Sequence, residues 1–305
     1  MVQDPAQLYR FETDVDVRSA QAPTLLVALS GFMDAGHTQR LLVDHLLATL
    51  DHRVVATFDA DQLLDYRGRR PAMTLESDHW THYEDPTLAL YRFVDDKGAP
   101  FLLLSGLEPD FQWERVVEAV RGLVGLLGVR TVLSMHGVPM AVPHTRPIGA
   151  TYHGSSEERR SAHPSPFGTI QVPGSLATLL EYRLGEHGID AGGLSVHVPH
   201  YLAQSDFTPA ALAALQMIAG GTGLHLPDSA LALGAAQTLD AVAGELANSP
   251  EAEQVVTALE TQYDAFVQRR SSGLLDEQDG QMPTADELGA EFEAFLRGQF
   301  GSDQS

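Results

Sequence analysis

Short apolar runs alternate with amphipathic segments along the first two thirds of the chain. TLLVALS (24–30) is apolar throughout, and a glycine-containing turn separates it from an amphipathic segment at 37–50. RVVATFDA (53–60) follows at once and is rich in β-branched residues. The order strand, helix, strand is typical of a parallel sheet with right-handed crossovers. The pattern therefore predicts an α/β fold with helices covering a buried sheet.

The same rhythm continues downstream. Further apolar runs predict strands, and segments with helical spacing of apolar residues predict helices. The predicted strands are 88–94, 100–106, 130–137, 168–173 and 194–201, and the predicted helices begin near residues 113, 175 and 205. The five residues DDKGA between 94 and 100 predict a hairpin or two adjacent strands.

Two stretches interrupt this rhythm. Residues 61–87 predict an excursion across one face of the sheet, with a strand near Met73 and with Trp80 and Tyr83 packed inward. Residues 137–166 are rich in His, Pro and Gly and predict a long loop, which is a frequent location of function.

The pattern changes again after about residue 226. From there the chain of 305 residues shows only helical periodicity, including a segment at 284–300. A chain of this length exceeds what one core usually serves. We therefore predict a core domain at 1–225 and a helical C-terminal extension at 226–305.

Charge and composition exclude several functional classes. The chain carries 41 Asp and Glu against 19 Lys and Arg, a formal charge of -22 that repels nucleic acid and anionic membranes. It contains no cysteine, which excludes disulfides and thiolate chemistry. The polar N-terminus has no signal-peptide core, and no apolar run reaches the roughly 18 residues that span a membrane. We expect a cytoplasmic protein.

Cofactor motifs are missing from the sequence. Lys97 is the only lysine, and the spacing from Gly31 to Gly36 lacks the Lys and Ser or Thr of a phosphate-binding loop. His79 and His82 form the densest group of potential metal ligands, but a solvated loop explains them better. We predict neither a cofactor nor a metal.

Three predicted strands end in similar turns, SGFMDAG (30–36), SGLEPD (105–110) and MHGVP (135–139). Ligands bind at the carboxyl ends of parallel strands, so these turns predict a candidate pocket. Alternatively, the glycines permit tight turns and Asp34 caps a helix. The pocket residues would be Ser30, Gly31, Phe32, Asp34, Gly106, Glu108, His136 and Gly137.

Five strings follow one another along the chain: SGFMDAG, DADQLLDYRGRRP, LLLSGLEPDFQW, MHGVPMAVPHTRP and PTADELGAEFEAFLR. As an ordered set, they resemble an actinobacterial member of the proteasome assembly chaperone 2 family. The resemblance covers nearly the whole chain. It implies a three-layer α/β/α core with a mostly parallel, phosphorylase-like or hydrolase-like sheet, a helical extension, and self-association into a homo-oligomer such as a trimer. Proteasome subunits are the other partners that it implies.

Two functional hypotheses follow. The first is a non-enzymatic binding or assembly protein, because the sequence contains no recognisable set of catalytic residues. This hypothesis assigns no residue a catalytic role. The chain ends FGSDQS and lacks the hydrophobic-Tyr-any tail by which some relatives dock on the proteasome, so docking by that tail is not expected. The second is a phosphorylase-like or hydrolase-like enzyme in which Asp34 or Glu108 acts as acid or base and Arg69 or Arg146 binds an anion.

Overall fold

The computed structural model describes residues 4–31, 33–162 and 168–271. Its strands are β1 (Tyr9–Phe11), β2 (Thr24–Ser30), β3 (His52–Phe58), β4 (Met73–Glu76), β5 (His79–Tyr83), β6 (Leu88–Val94), β7 (Pro100–Leu107), β8 (Thr131–Met140), β9 (Ala150–Gly154) and β10 (Asp190–Pro199). Its helices are α1 (Thr38–Thr49), α2 (Ala60–Leu63), α3 (Trp113–Leu126), α4 (Glu157–Ala162), α5 (Leu176–Glu186), α6 (Thr208–Thr222), α7 (Ser229–Leu246) and α8 (Pro250–Ser271).

Eight strands form one mixed sheet in the order β1-β3-β6-β7-β2-β8-β10-β9. The neighbours β7, β2, β8 and β10 pair in parallel, whereas β1, β6 and β9 are antiparallel to their neighbours. Because two antiparallel pairings separate β3 from β7, those two strands also point the same way. Five strands therefore share one direction, and β4 and β5 form a separate hairpin.

Both faces of the central strands are buried, which explains why they are apolar throughout. In β2, Leu25 and Val27 face one layer, while Leu26 and Ala28 face the other. The first layer is formed by α3 and α5, and the second by α1 and α6. The predicted three-layer α/β/α fold is confirmed, as is the hairpin of β6 and β7.

The C-terminal helices pack on this core within the same chain. Leu231 of α7 is buried among the side chains of the α1 and α6 layer. On α8, Phe266 packs against Met140 and Val142, which lie at the end of β8 and just beyond it. The division at residue 226 stays a prediction, and the predicted helix at 284–300 lies outside the described residues.

The predicted long loop at 137–166 is wrong in part. Strand β8 continues to Met140, β9 pairs antiparallel with β10, and α4 follows β9. The strand predicted at 168–173 is absent: residues 168–175 have no regular structure, and Ile170 and Val172 are exposed. Strand β10 is paired on both sides, with β8 and with β9, so residues 168–173 cannot pair with it.

The interpretation of residues 61–87 also needs correction. The strand expected near Met73 exists, but it pairs only with β5 in the separate hairpin. Trp80 and Tyr83 do not pack inward, because 62% of Trp80 and 43% of Tyr83 is exposed. The solvated loop expected around His79 and His82 is also wrong, because His79–Tyr83 forms strand β5.

No helix within the described ranges is long and apolar enough to cross a membrane.

Asp95 ties the turn between β6 and β7 to the connection between α6 and α7. Its buried carboxylate accepts hydrogen bonds from the backbone N–H of Lys97 (2.9 Å), Ala99 (2.8 Å) and His225 (2.8 Å). Burial acts to raise the pKa of Asp95, but the three donors outweigh it and lower the pKa.

We therefore expect Asp95→Ala to lower the free energy of unfolding by on the order of 3 kcal/mol, because three donors lose a charged acceptor. The exposed neighbour Asp96 provides the matched control, and Asp96→Ala should change stability by less than about 0.5 kcal/mol. Urea unfolding of the three proteins measures the difference. Equal effects of the two substitutions would contradict this role of Asp95.

Candidate functional site

The ends of β2 and β7 are joined through backbone atoms. The hydroxyl of Ser30 donates to the carbonyl of Gly106 (3.2 Å), and the N–H of Glu108 donates to the carbonyl of Ser30 (2.9 Å). Ser30, Gly106 and Glu108 therefore lie together at one rim of the sheet. Phe32 lies outside the described residues.

The side chain of Glu108 turns towards the layer of α3 and α5. It is buried, and its Oε1 accepts a hydrogen bond from the N–H of Leu176 (2.6 Å), the first residue of α5. A carboxylate at a helix N-terminus is favoured by the unpaired N–H groups there. Glu108 thus holds the start of α5 against the sheet.

Asp34 performs the same task on the opposite face. Its carboxylate accepts from the N–H groups of Gln39 (2.7 Å) and Arg40 (3.0 Å) in the first turn of α1, and from the N–H of Gly137 (3.3 Å). Burial outweighs these donors and raises the pKa of Asp34. Because α1 and α5 lie on opposite faces, the carboxylates of Asp34 and Glu108 point into different layers.

Two glycines of the predicted pocket are required by close backbone approaches. A Cβ on Gly106, whose φ is +140°, would lie 2.0 Å from the carbonyl oxygen of Thr87. A Cβ on Gly137 would lie 2.0 Å from the carbonyl oxygen of Ala35. Both positions thus have a structural reason to be glycine.

The two candidate anion-binding arginines already have acidic partners and contact different elements. Arg69 lies over Gly31, donates to the carbonyl of Glu108 (2.8 Å) and pairs with Asp110 (2.9 Å). Arg146 instead contacts α8, forming two hydrogen bonds to Asp264 (2.8 and 2.7 Å) and one to Glu260 (3.2 Å). Its pKa is raised chiefly by the bonds to Asp264. As a ligand pocket, the predicted set stays a prediction.

His136 takes part in a side-chain cluster that the sequence did not predict. Its Nε2 lies 3.3 Å from the hydroxyl of Ser195 on β10, and the same hydroxyl lies 3.3 Å from Nε2 of His153 on β9. The other ring nitrogen of His153 lies 2.7 Å from the carboxylate of Glu181 on α5. Three strands and a helix thus bring two imidazoles, one hydroxyl and one carboxylate together, and this group is called the Ser195 cluster below.

Burial controls the protonation of two histidines on this face. Desolvation, with a smaller contribution from His153, lowers the pKa of His136 to about 4. Desolvation alone lowers the pKa of His197 to about 4, and its Nε2 lies 2.9 Å from the hydroxyl of Thr151. Both imidazoles are therefore neutral near pH 7.

One sequence signal could have indicated this cluster. In LSVHVPHY (194–201) Ser195 and His197 alternate with apolar residues, although a strand buried on both faces should be apolar throughout. The contributions of His153 and Glu181 depend on pairings between distant segments, which no local pattern indicates. Within the described parts of the chain, no group of three or more His, Asp or Glu side chains could hold a metal ion.

These observations define a three-layer α/β/α protein with a mixed sheet, a helix-capping carboxylate on each face and a polar cluster beside one edge. The PAC2 family profile matches residues 28–247. The chain belongs to the PAC2 family.

Solved structures agree with this assignment. Mycobacterium tuberculosis Rv2714, a protein of unknown function, is 47% identical, with 90% of this chain and 94% of that chain covered and a TM-score of 0.82. A Corynebacterium glutamicum protein of unknown function is 39% identical over 86% and 99% of the two chains, with a TM-score of 0.81. Mycobacterium tuberculosis Rv2125, described as a proteasome-assembly chaperone homologue, shares the fold at 20% identity, covering 77% and 99%, with a TM-score of 0.70. No curated protein matches the chain.

The lowered pKa of His197 makes stability depend on pH. Between pH 6.5 and about 4 the unfolded chain binds a proton at this residue and the folded chain does not, so acidification destabilises the fold. We expect His197→Gln to reduce the slope of unfolding free energy against pH in this window by up to about 1.4 kcal/mol per pH unit. Thr151→Val removes the hydrogen bond but no titrating group, and should retain the slope. Urea unfolding at several pH values measures the slope. An unchanged slope in His197→Gln would show that His197 is not the source of this pH dependence.

Proposed function

We propose that this protein is a binding factor with a chaperone-like role in the assembly of a proteasome-type complex, and that it acts without catalysing a reaction in that role. Two findings support the proposal: membership of the PAC2 family and the shared fold of Rv2125, described as a proteasome-assembly chaperone homologue. A cytoplasmic location and self-association into a homo-oligomer are parts of the same proposal.

The observation that carries the proposal is the exposed hairpin of β4 and β5. Its register places Met73 opposite Tyr83 and Leu75 opposite Trp80. Directly opposed residues share a face of a sheet, and Met73 and Leu75 stand two residues apart on β4. The register shifts by one residue on β5 between the two pairs, so the four apolar side chains lie on one face of the hairpin. That face is 43 to 62% exposed at each of them.

An uncovered apolar face of this kind is typical of a protein-binding surface. All nine residues of β4 and β5 are exposed. An isolated two-stranded hairpin is marginally stable in water, so burial against a partner would stabilise it. Trp and Tyr are also the residue types that most often dominate binding energy at protein interfaces.

Charged side chains lie close to the hairpin in the sequence, and they include two arginines that precede it. The side chains of Arg67 and Arg70 are exposed and form no ion pair with the described residues. Four exposed acidic residues also lie in or next to the hairpin, namely Glu76, Asp78, Glu84 and Asp85, so the apolar face has charged neighbours of both signs. Such surroundings favour a partner with complementary charged groups around its binding site.

The test is co-purification of the tagged protein, expressed at its native level, with proteasome α subunits. We expect the wild-type chain to retain these subunits, and Leu75→Ala combined with Trp80→Ala to retain at least tenfold less. Leu233→Ala on α7 is the matched control, because Leu233 is 63% exposed and Leu75 is 53% exposed. The control should bind as the wild type does. Clean purification of the wild-type chain without α subunits would contradict the proposal.

Light scattering of the same variants separates self-association from partner binding. We expect the wild-type chain to be a homo-oligomer and the hairpin variant to keep the same mass. If the hairpin variant became a monomer, the apolar face would be the contact between copies of the chain, and its assignment to another partner would be wrong.

A further inference from the structure

The Ser195 cluster has the arrangement of a nucleophile, a base and a group that orients the base. Ser195 pairs directly with His136 of β8 on one side and with Thr151 of β9 on the other. Polar side chains from both neighbouring strands therefore converge on one hydroxyl. Ser195, His136 and His153 are half-buried residues, and 31% of the His153 side chain is exposed.

Gly193 creates the room that this arrangement needs. It lies opposite His153 in the register of β10 and β9, and a Cβ at this position would lie 2.3 Å from Cε1 of the His153 ring. Without a side chain there, the ring of His153 lies across β10 and reaches Ser195 two residues further along.

The hydrogen bonds define the direction of proton transfer. The carboxylate of Glu181 can only accept, so Nδ1 of His153 carries the hydrogen between them. In neutral His153 the other nitrogen, Nε2, then accepts the hydroxyl hydrogen of Ser195. His136 is neutral near pH 7, and its Nε2–H can donate to the same oxygen or to a negative charge that develops beside it.

We propose that Ser195 is a nucleophile towards small esters, with His153 as its general base, Glu181 as the positioning residue for His153 and His136 as a hydrogen-bond donor. A neutral acyl group fits better than a phosphoryl group, because the Ser195 hydroxyl contacts two imidazoles and, among the described residues, no guanidinium or ammonium group. This activity is separate from the protein-binding function proposed above.

The reaction balances with water as the second reactant. Oγ of Ser195 attacks the ester carbonyl carbon while its proton passes to Nε2 of His153. The carbon–oxygen bond to the alcohol then breaks, and the alcohol leaves with that proton. Water attacks the acyl group on Ser195, gives one proton through His153 back to Oγ, and releases the carboxylic acid.

The absence of cysteine from the chain permits a direct test of the environment of Ser195. Ser195→Cys introduces a unique thiol, and its rate of alkylation by iodoacetamide against pH gives the thiol pKa. The titratable groups on this face are His136 from β8, His153 from β9 and His197 two residues further along β10, with Glu181 of α5 behind His153. We expect the pKa to lie at least one unit below that of the exposed control Ser205→Cys, because an adjacent imidazolium stabilises the thiolate.

Second substitutions identify the source of this effect. His153→Gln in the Ser195→Cys chain should return the thiol pKa to the control value or above it, and Glu181→Gln should produce an intermediate shift. A thiol pKa at or above that of Ser205→Cys, or one that does not respond to His153→Gln, overturns the proposal.

The wild-type chain provides an independent measurement. We expect a fluorophosphonate probe to label it at Ser195, the Ser195→Ala variant to remain unlabelled, and His153→Gln to react at least a hundredfold more slowly. Hydrolysis of p-nitrophenyl acetate should follow the same order. Absence of labelling in the wild-type chain, or equal labelling of Ser195→Ala, contradicts the assignment.

Discussion

The burial of the central parallel strands on both faces is the constraint on which the rest of the structure depends. Strand β2 alternates apolar side chains between two layers, so helices must cover the sheet on each side. Asp34 and Glu108 hold the first turns of α1 and α5 at one rim of the sheet, each on its own face. The carboxylates of Asp34 and Glu108 at the strand ends therefore hold the helices of the two layers.

The two candidate functional surfaces, the β4 and β5 hairpin and the Ser195 cluster, are formed by other residues than these strand-end carboxylates. The exposed hairpin of β4 and β5 lies between β3 and β6 in the chain and forms a sheet of its own. The Ser195 cluster lies on β8, β10 and β9, which form one end of the eight-stranded sheet. The two features share no strand, since β4 and β5 pair only with each other.

The sequence predicts the layered core because its signals are local. An apolar run such as TLLVALS follows from burial of a strand on both faces. The helical spacing of Val116, Val120 and Leu123 follows from burial of one side of a helix. Strand β9 could not be predicted in this way, since ATYHG becomes a strand only by pairing with β10. Similarly, the sequence predicts a solvated loop at His79–Tyr83, and this segment becomes a strand only by pairing with β4.

The candidate site also has a part that local sequence patterns reveal and a part that depends on contacts between distant segments. The strand-end glycines and carboxylates are visible in the sequence because they directly follow apolar runs. Their use as helix caps and close backbone contacts depends on which helix starts beside them. The link from Ser195 to His153 and Glu181 crosses two strands and a helix, and it also requires the missing side chain of Gly193.

If the β4 and β5 hairpin is the protein-binding surface proposed above, a bound partner should protect it from solvent. Amide hydrogen exchange of the free chain, and of the chain saturated with proteasome α subunits, tests this expectation most directly. We predict slow exchange in β2 and β8 in both samples, and fast exchange at residues 73–83 that becomes at least tenfold slower in the complex. Unchanged exchange in the hairpin together with new protection elsewhere would contradict the account.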